Sequence, residues 1–170
     1  MFEVSAVTGS DKPTTYRELL AQARAMMAGE PDRIANAANF AALLFHALPQ
    51  LNWCGFYFFD GRELVVGPFQ GKPACVRIAL GKGVCGTAAA TRLTQRVADV
   101  HAFPGHIACD TASASEIVVP MFDGHGHLIG VFDVDSPLPN RFDEDDQHGM
   151  EALVEAWIEM NDPTRFEAAA

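Results

Sequence analysis

Apolar positions recur with two different periods along the chain, and the change from one to the other divides it. Thr15-Tyr16-Arg17-Glu18 has the T-x-x-E form of a capping box, which predicts a helix from there to about Met27. Gly29-Glu30-Pro31 breaks it, and Pro31 suits the first turn of a second helix. In that helix Ile34, Ala38, Ala41, Leu44 and Leu48 line one face, and Pro49 ends it. The period then shortens. Residues 53–59 (WCGFYFF), 63–69, 75–80 and 94–98 are short, rich in β-branched or aromatic residues and flanked by turn formers, so they read as strands. The segment 81–92, GKGVCGTAAATR, is the helical piece among them. Residues 101–114 carry no periodicity and predict a loop. Strands at 115–122 and 127–135 surround Asp123-Gly124-His125-Gly126, a hairpin signal. A last helix follows Phe142-Asp143, with Met150, Leu153, Val154, Trp157 and Ile158 at helical spacing and acids in its first turn. Helices packed on a mainly antiparallel sheet make an α+β fold.

Composition narrows the functions open to such a fold. A chain of 170 residues fits a single domain over 1–170, with about the first 11 residues and the tail after about 162 frayed. Hydrophobic residues at 49% with 20% charged residues read as a soluble globular protein. A net charge of −10 repels phosphate backbones, so nucleic acid is not an expected partner. No apolar run is long enough for a bilayer, and the N-terminus shows no signal-peptide pattern, so the expectation is a cytoplasmic protein with no membrane partner. Cys54, Cys75, Cys85 and Cys109 contain no C-x-x-C pair, and thiols at rest are expected in a reducing compartment.

The hairpin carries the most chemical information. A turn centred on Gly124-His125 makes Asp123 face Gly126 and sets Glu116 opposite Asp133. Strand alternation then places Glu116, Asp133 and Asp135 on one face, with Val118 and Val131 further in. Like charges across a strand pair are destabilising, which makes sense if a cation binds there or one carboxyl stays protonated. Simple solvation of strand-end acids is the competing account, and a bulge at Pro120 would slip the register. Among the thiols, Cys85 starts a helix, where the dipole lowers a thiol pKa; burial among small residues would instead leave it inert. Cys109 lies in the long loop, Cys75 starts a strand, and Cys54 sits in an apolar strand as a core residue. Amides at the Gly-rich turn offer an anion site. Together with the acids they suit a zwitterion such as a free amino acid. Trp53 and Tyr57 share a strand face, as core or as a ligand wall. His101, His106 and Cys109 match no compact zinc motif, and no metal is expected.

NWCGFYFFD at 52–60, GPFQGKPACVRIALGKGVCG at 67–86 and SEIVVPMFDGHGHLIGVFDVDSP at 115–137 resemble the free methionine-(R)-sulfoxide reductases, which are GAF-domain enzymes. The resemblance runs from about residue 12 to 160 and includes three cysteines at spacings of 10 and 24 residues. It implies a GAF fold with a six-stranded antiparallel sheet flanked by helices on both sides, commonly as a homodimer. It implies reduction of free methionine-(R)-sulfoxide, with Cys109 as the attacking thiol and Cys75 as the resolving thiol. The implied disulfide is Cys75–Cys109, with Cys85–Cys109 as the alternative. Glu116, Asp133 and Asp135 match the family's active-site acids, and Trp53 and Tyr57 its pocket aromatics. Glu116, coupled to Asp135, is the expected proton donor. Amides at Gly83, Val84 and Cys85 would hold the substrate carboxylate. Thioredoxin is the implied external reductant, and no bound cofactor is expected. Cys54 stands where a small non-thiol residue is more usual. A non-catalytic GAF sensor of a small ligand is the rival reading.

Overall fold

The structure, a computed structural model, describes residues 11–105 and 111–162. In chain order it contains α1 (Lys12–Met27), α2 (Arg33–Ala47), β1 (Trp53–Phe59), β2 (Leu64–Gly71), β3 (Arg77–Ile78), α3 (Gly83–Thr91), β4 (Gln95–Val97), β5 (Ser115–Phe122), β6 (Leu128–Ser136) and α4 (Glu144–Asn161). A short 3-10 turn, Val100–Ala102, interrupts what the sequence predicts as plain loop. The strands form one sheet in the order β3-β2-β1-β6-β5-β4, with every pairing antiparallel. This is the expected α+β architecture with helices on both faces.

Helix starts are set by aspartates rather than by the motifs first picked out. Asp11 caps α1 by accepting from the Thr14 amide at 2.8 Å, so the helix begins ahead of the Thr15–Glu18 box. Asp32 caps α2 through the Ile34 and Ala35 amides, which leaves Pro31 just outside the helix. The buried face of α2 is Asn36, Ala37, Phe40, Ala41, Leu43 and Leu44; Ile34 and Ala38 are exposed, contrary to the expected stripe. The first turn of α4 has a reciprocal capping box between Asp143 and Asp146, and its predicted apolar face is buried in full.

The two faces of the sheet bury different things. On one, α1, α2 and α4 close over Cys54, Phe56, Ile117, Val119, Met121, Phe132 and Val134. Phe56 is the centre of an aromatic cluster, with ring centroids 4.7 Å from Phe132 and 4.8 Å from Trp157. Asp146, buried at the start of α4, ties down α1 and the preceding loop. It accepts from the Tyr16 hydroxyl at 2.9 Å, from Lys12 at 2.5 Å and from Arg141 at 3.1 Å. On the other face α3 packs over Trp53, Tyr57, Val118 and Val131. Alternation along each strand separates the large core from the site.

The hairpin register differs from the expectation. The Asp123 amide donates to the His127 carbonyl, and a bulge lies between Met121 and Phe122. Each adds to the turn side, so Glu116 pairs with Asp135 and Val118 with Asp133. The slip is two residues relative to the predicted pairing. Because side chains alternate with period two, it leaves every residue on its predicted face. Elsewhere β3 is only Arg77–Ile78, shorter than the expected 75–80. Among the described residues no helix is long and apolar enough to cross a membrane.

Candidate active site

The face under α3 opens into a cleft. β1 contributes Trp53 and Tyr57, β5 Glu116, β6 Asp133 and Asp135, and the start of α3 Gly83, Val84 and Cys85. The strand pairing explains the convergence, since Trp53 lies opposite Asp135 and Gly55 opposite Asp133. Above Asp133 there is therefore no β1 side chain. α3 reaches the sheet because its first residue, Gly83, turns in with φ +59°.

The aromatics hold the cleft's rim as well as its wall. Trp53 and Tyr57 stack with centroids 5.7 Å apart, and Phe69 stacks on Trp53 at 5.2 Å. The Trp53 indole donates to the Lys72 carbonyl at 3.2 Å, and the Tyr57 hydroxyl donates to the Cys75 carbonyl at 3.1 Å. These two bonds pin residues 72–75 over the aromatic wall and bring Cys75 to the edge of the cleft.

The floor is a compact set of buried acids and a thiol. The Cys85 thiol donates to Asp133 Oδ2 at 3.3 Å and lies 3.9 Å from Glu116 Oε1. Burial, and then the charges of Asp133 and Asp135, push the Glu116 carboxyl well above its usual range. Burial also raises Asp133, to about 7, while bonds from Cys85 and Glu116 hold it down. Glu116 is thus the proton-holding member of the pair and Asp133 the acceptor. The expectation coupled Glu116 to Asp135. In the structure its hydrogen-bonded partner is Asp133, on the diagonal across the strands, and Asp135 acts through charge. Asp133 Oδ1 is buried with no hydrogen-bond partner among the described residues.

Cys85 is not the activated thiolate that its helix position suggests. Burial, then the charges of Asp133 and Glu116, raise its pKa well above that of an ordinary thiol. A helix terminus offers a fraction of a charge. It is outweighed by desolvation and two facing carboxyls. Cys54 is a free, fully buried core thiol, as expected. Cys85 is likewise free, whereas Cys75 is disulfide-bonded.

Eight of the predicted site residues therefore line one cleft, and Cys75 borders it. Cys109 and His106 lie outside the described residues, and His101 is exposed in the 3-10 turn. The sequence reading missed Lys72, Pro73, Ala74, Ile78, Lys82 and Ser113. The lysines carried a usable signal, because each stands in a Gly-rich segment beside a singled-out cysteine. Ser113 had none, since it enters the cleft only through the path of the loop.

A curled antiparallel sheet with a thiol–carboxylate cleft under one short helix defines a GAF-type domain, and a GAF domain model matches residues 14–156. A solved Burkholderia vietnamiensis structure, put forward as a GAF sensor protein, is 67% identical, with TM-score 0.88, covering 89% of this chain and 96% of that one. Free methionine-R-sulfoxide reductase from Escherichia coli is 50% identical across 85% of this chain and 87% of that protein. The structure of free methionine-R-sulfoxide reductase from Neisseria meningitidis in complex with its substrate is 45% identical, with TM-score 0.89, covering 94% and 95% of the two chains. The chain belongs to the free methionine-R-sulfoxide reductase family of GAF-domain proteins.

Proposed function

We propose that the chain reduces free L-methionine-(R)-sulfoxide to methionine by cysteine chemistry, with thioredoxin as the external reductant. The observation that carries this reading is the packing of Glu116, its carboxyl pushed well above the usual range by burial, against Asp133 and Cys85 on the floor of a cleft bordered by Cys75. A zwitterionic substrate fits the charge layout. Its ammonium meets Asp135 and the unpartnered Oδ1 of Asp133. Its carboxylate meets Lys72, Lys82 and the amides that open α3. Trp53 packs on the S-methyl group. A sulfoxide inside a peptide has neither free charge, so it is a poor guest.

Cys109 acts as the nucleophile, four residues before the cleft-lining Ser113. Its thiolate takes the sulfoxide oxygen as the substrate S–O bond breaks, and Glu116 supplies one proton. The products are methionine and a Cys109 sulfenic acid. The Cys75 thiol condenses with the sulfenic acid, forming the Cys75–Cys109 disulfide and releasing water. The thioredoxin dithiol then restores both thiols and becomes a disulfide itself. A disulfide-bonded Cys75 beside a free, proton-holding Cys85 supports this pairing over Cys85–Cys109. Turnover needs no bound metal, flavin or nicotinamide, and the enzyme works as a cytoplasmic homodimer.

The test is one assay of the purified chain with both epimers of free methionine sulfoxide and with a peptide-bound sulfoxide, under dithiothreitol and then thioredoxin. Consumption of the free R-epimer alone is expected. Binding of sulfoxide with no consumption of either epimer would leave a ligand sensor. Cys109→Ser should abolish single turnover and Cys75→Ser should spare it; full single turnover in Cys109→Ser would move the attack to Cys85.

A further inference from the structure

Cys85 is a buried free thiol that the proposed reaction leaves unused, and it faces the carboxyls of Glu116 and Asp133. Its sulfur and one oxygen each of Glu116 and Asp133 lie within 4.8 Å of one another. The thiol-to-carboxylate separations are 3.3 and 3.9 Å. A tetrahedral zinc with ordinary Zn–S and Zn–O bonds puts sulfur and oxygen about 3.5 Å apart. The donors therefore stand at near-ligating spacing before any ion arrives. They sit on α3, β5 and β6, so regular elements rather than loops hold the spacing.

A second observation points the same way. Asp133 Oδ1 is buried without a hydrogen-bond partner among the described residues, an acceptor whose unmet demand a cation would satisfy. One sulfur with carboxylate oxygens suits a borderline-soft ion such as Zn²⁺, whereas Mg²⁺ prefers six oxygens in an octahedron. All three donors line the cleft together with Asp135, so water can complete the coordination from the cleft side.

We propose that Cys85, Glu116 and Asp133 form a zinc site that closes the floor of the cleft and inhibits the enzyme. The ion displaces the thiol proton and occupies the volume assigned to the substrate ammonium. It also engages Glu116, so it removes the proton donor along with the binding site. Zinc is thus a reversible inhibitor that competes with substrate. The inhibition rests on the reductase reading; the binding does not.

The test separates the two. Zinc affinity is measured by competition with a chromogenic chelator, using reduced protein in a Cys75→Ser/Cys109→Ser background, so that the loop thiols cannot contribute. One equivalent should bind, and Co²⁺ in its place should give a thiolate charge-transfer band. Adding Cys85→Ala should abolish the band, and Asp133→Asn should weaken zinc binding by about tenfold or more. Asp133→Asn is isosteric, which guards against a misfolded Cys85→Ala, and circular dichroism checks both. Zinc should raise the apparent KM of the wild type for sulfoxide, reversed by EDTA, while Mg²⁺ does nothing. No binding in the double-serine background, or unchanged affinity in Cys85→Ala, overturns the site. Tight binding with no effect on an active enzyme overturns the inhibition.

Discussion

Asp133→Asn should make the protein more stable at neutral pH while costing it activity. In the folded chain the carboxyl is buried and its pKa is raised from 3.8 to about 7. A group that binds its proton more tightly when folded adds stability that is fully present below its unfolded pKa. That stability is lost as pH rises through the folded value. The window here runs from about pH 4 to about pH 7. Roughly three pKa units at 1.36 kcal/mol each give about 4 kcal/mol lost by the wild type across it. Asparagine keeps the shape and never ionises, so it escapes this loss. It also relieves Glu116 of a like charge, which acts in the same direction. Urea unfolding under reductant at intervals from pH 4 to pH 8 reads the effect. The stability difference, variant minus wild type, should grow by about 4 kcal/mol across the series. Two parallel curves, within about 1 kcal/mol, would refute the reasoning, because Asp133 would then be no worse solvated folded than unfolded.

Asp146→Ala strands the Tyr16 hydroxyl and the buried guanidinium of Arg141, and should cost about 3–5 kcal/mol in thermal or urea unfolding. A change below about 1 kcal/mol would reduce the network to a surface decoration. Gly130→Ala puts a Cβ 2.1 Å from the Tyr57 carbonyl oxygen, so β1 and β6 must part. We expect a loss of about 1–3 kcal/mol together with a raised KM, because Tyr57 lines the cleft; wild-type stability would show that the strands yield freely. Glu116→Gln should slow single turnover by about a hundredfold or more with little change in substrate affinity, and an unchanged rate removes its role as proton donor.

Much of this protein is written locally. Period and turn chemistry are properties of neighbouring residues, so the strand at 53–59, the hairpin and the α4 face with Met150, Leu153 and Trp157 are readable from sequence. So is the shared face of Glu116, Asp133 and Asp135, because alternation has period two and survives a two-residue slip. Helix starts were less legible: Thr15 and Glu18 matched a motif, but Asp11 and Asp32 make the cap bonds. What the tertiary structure decided is which groups meet and in what medium. The Asp123–His127 turn and the bulge at Met121–Phe122 together chose the partner of Glu116. The indole and phenol of Trp53 and Tyr57 drew Lys72 and Cys75 to the rim. Packing of α3 buried Cys85 against Asp133 and Glu116, reversing the sign of its expected pKa shift. A residue's type and its helix position are local facts. Its desolvation and the charges across from it belong to chain segments 31 and 48 residues away, and only folding brings those together.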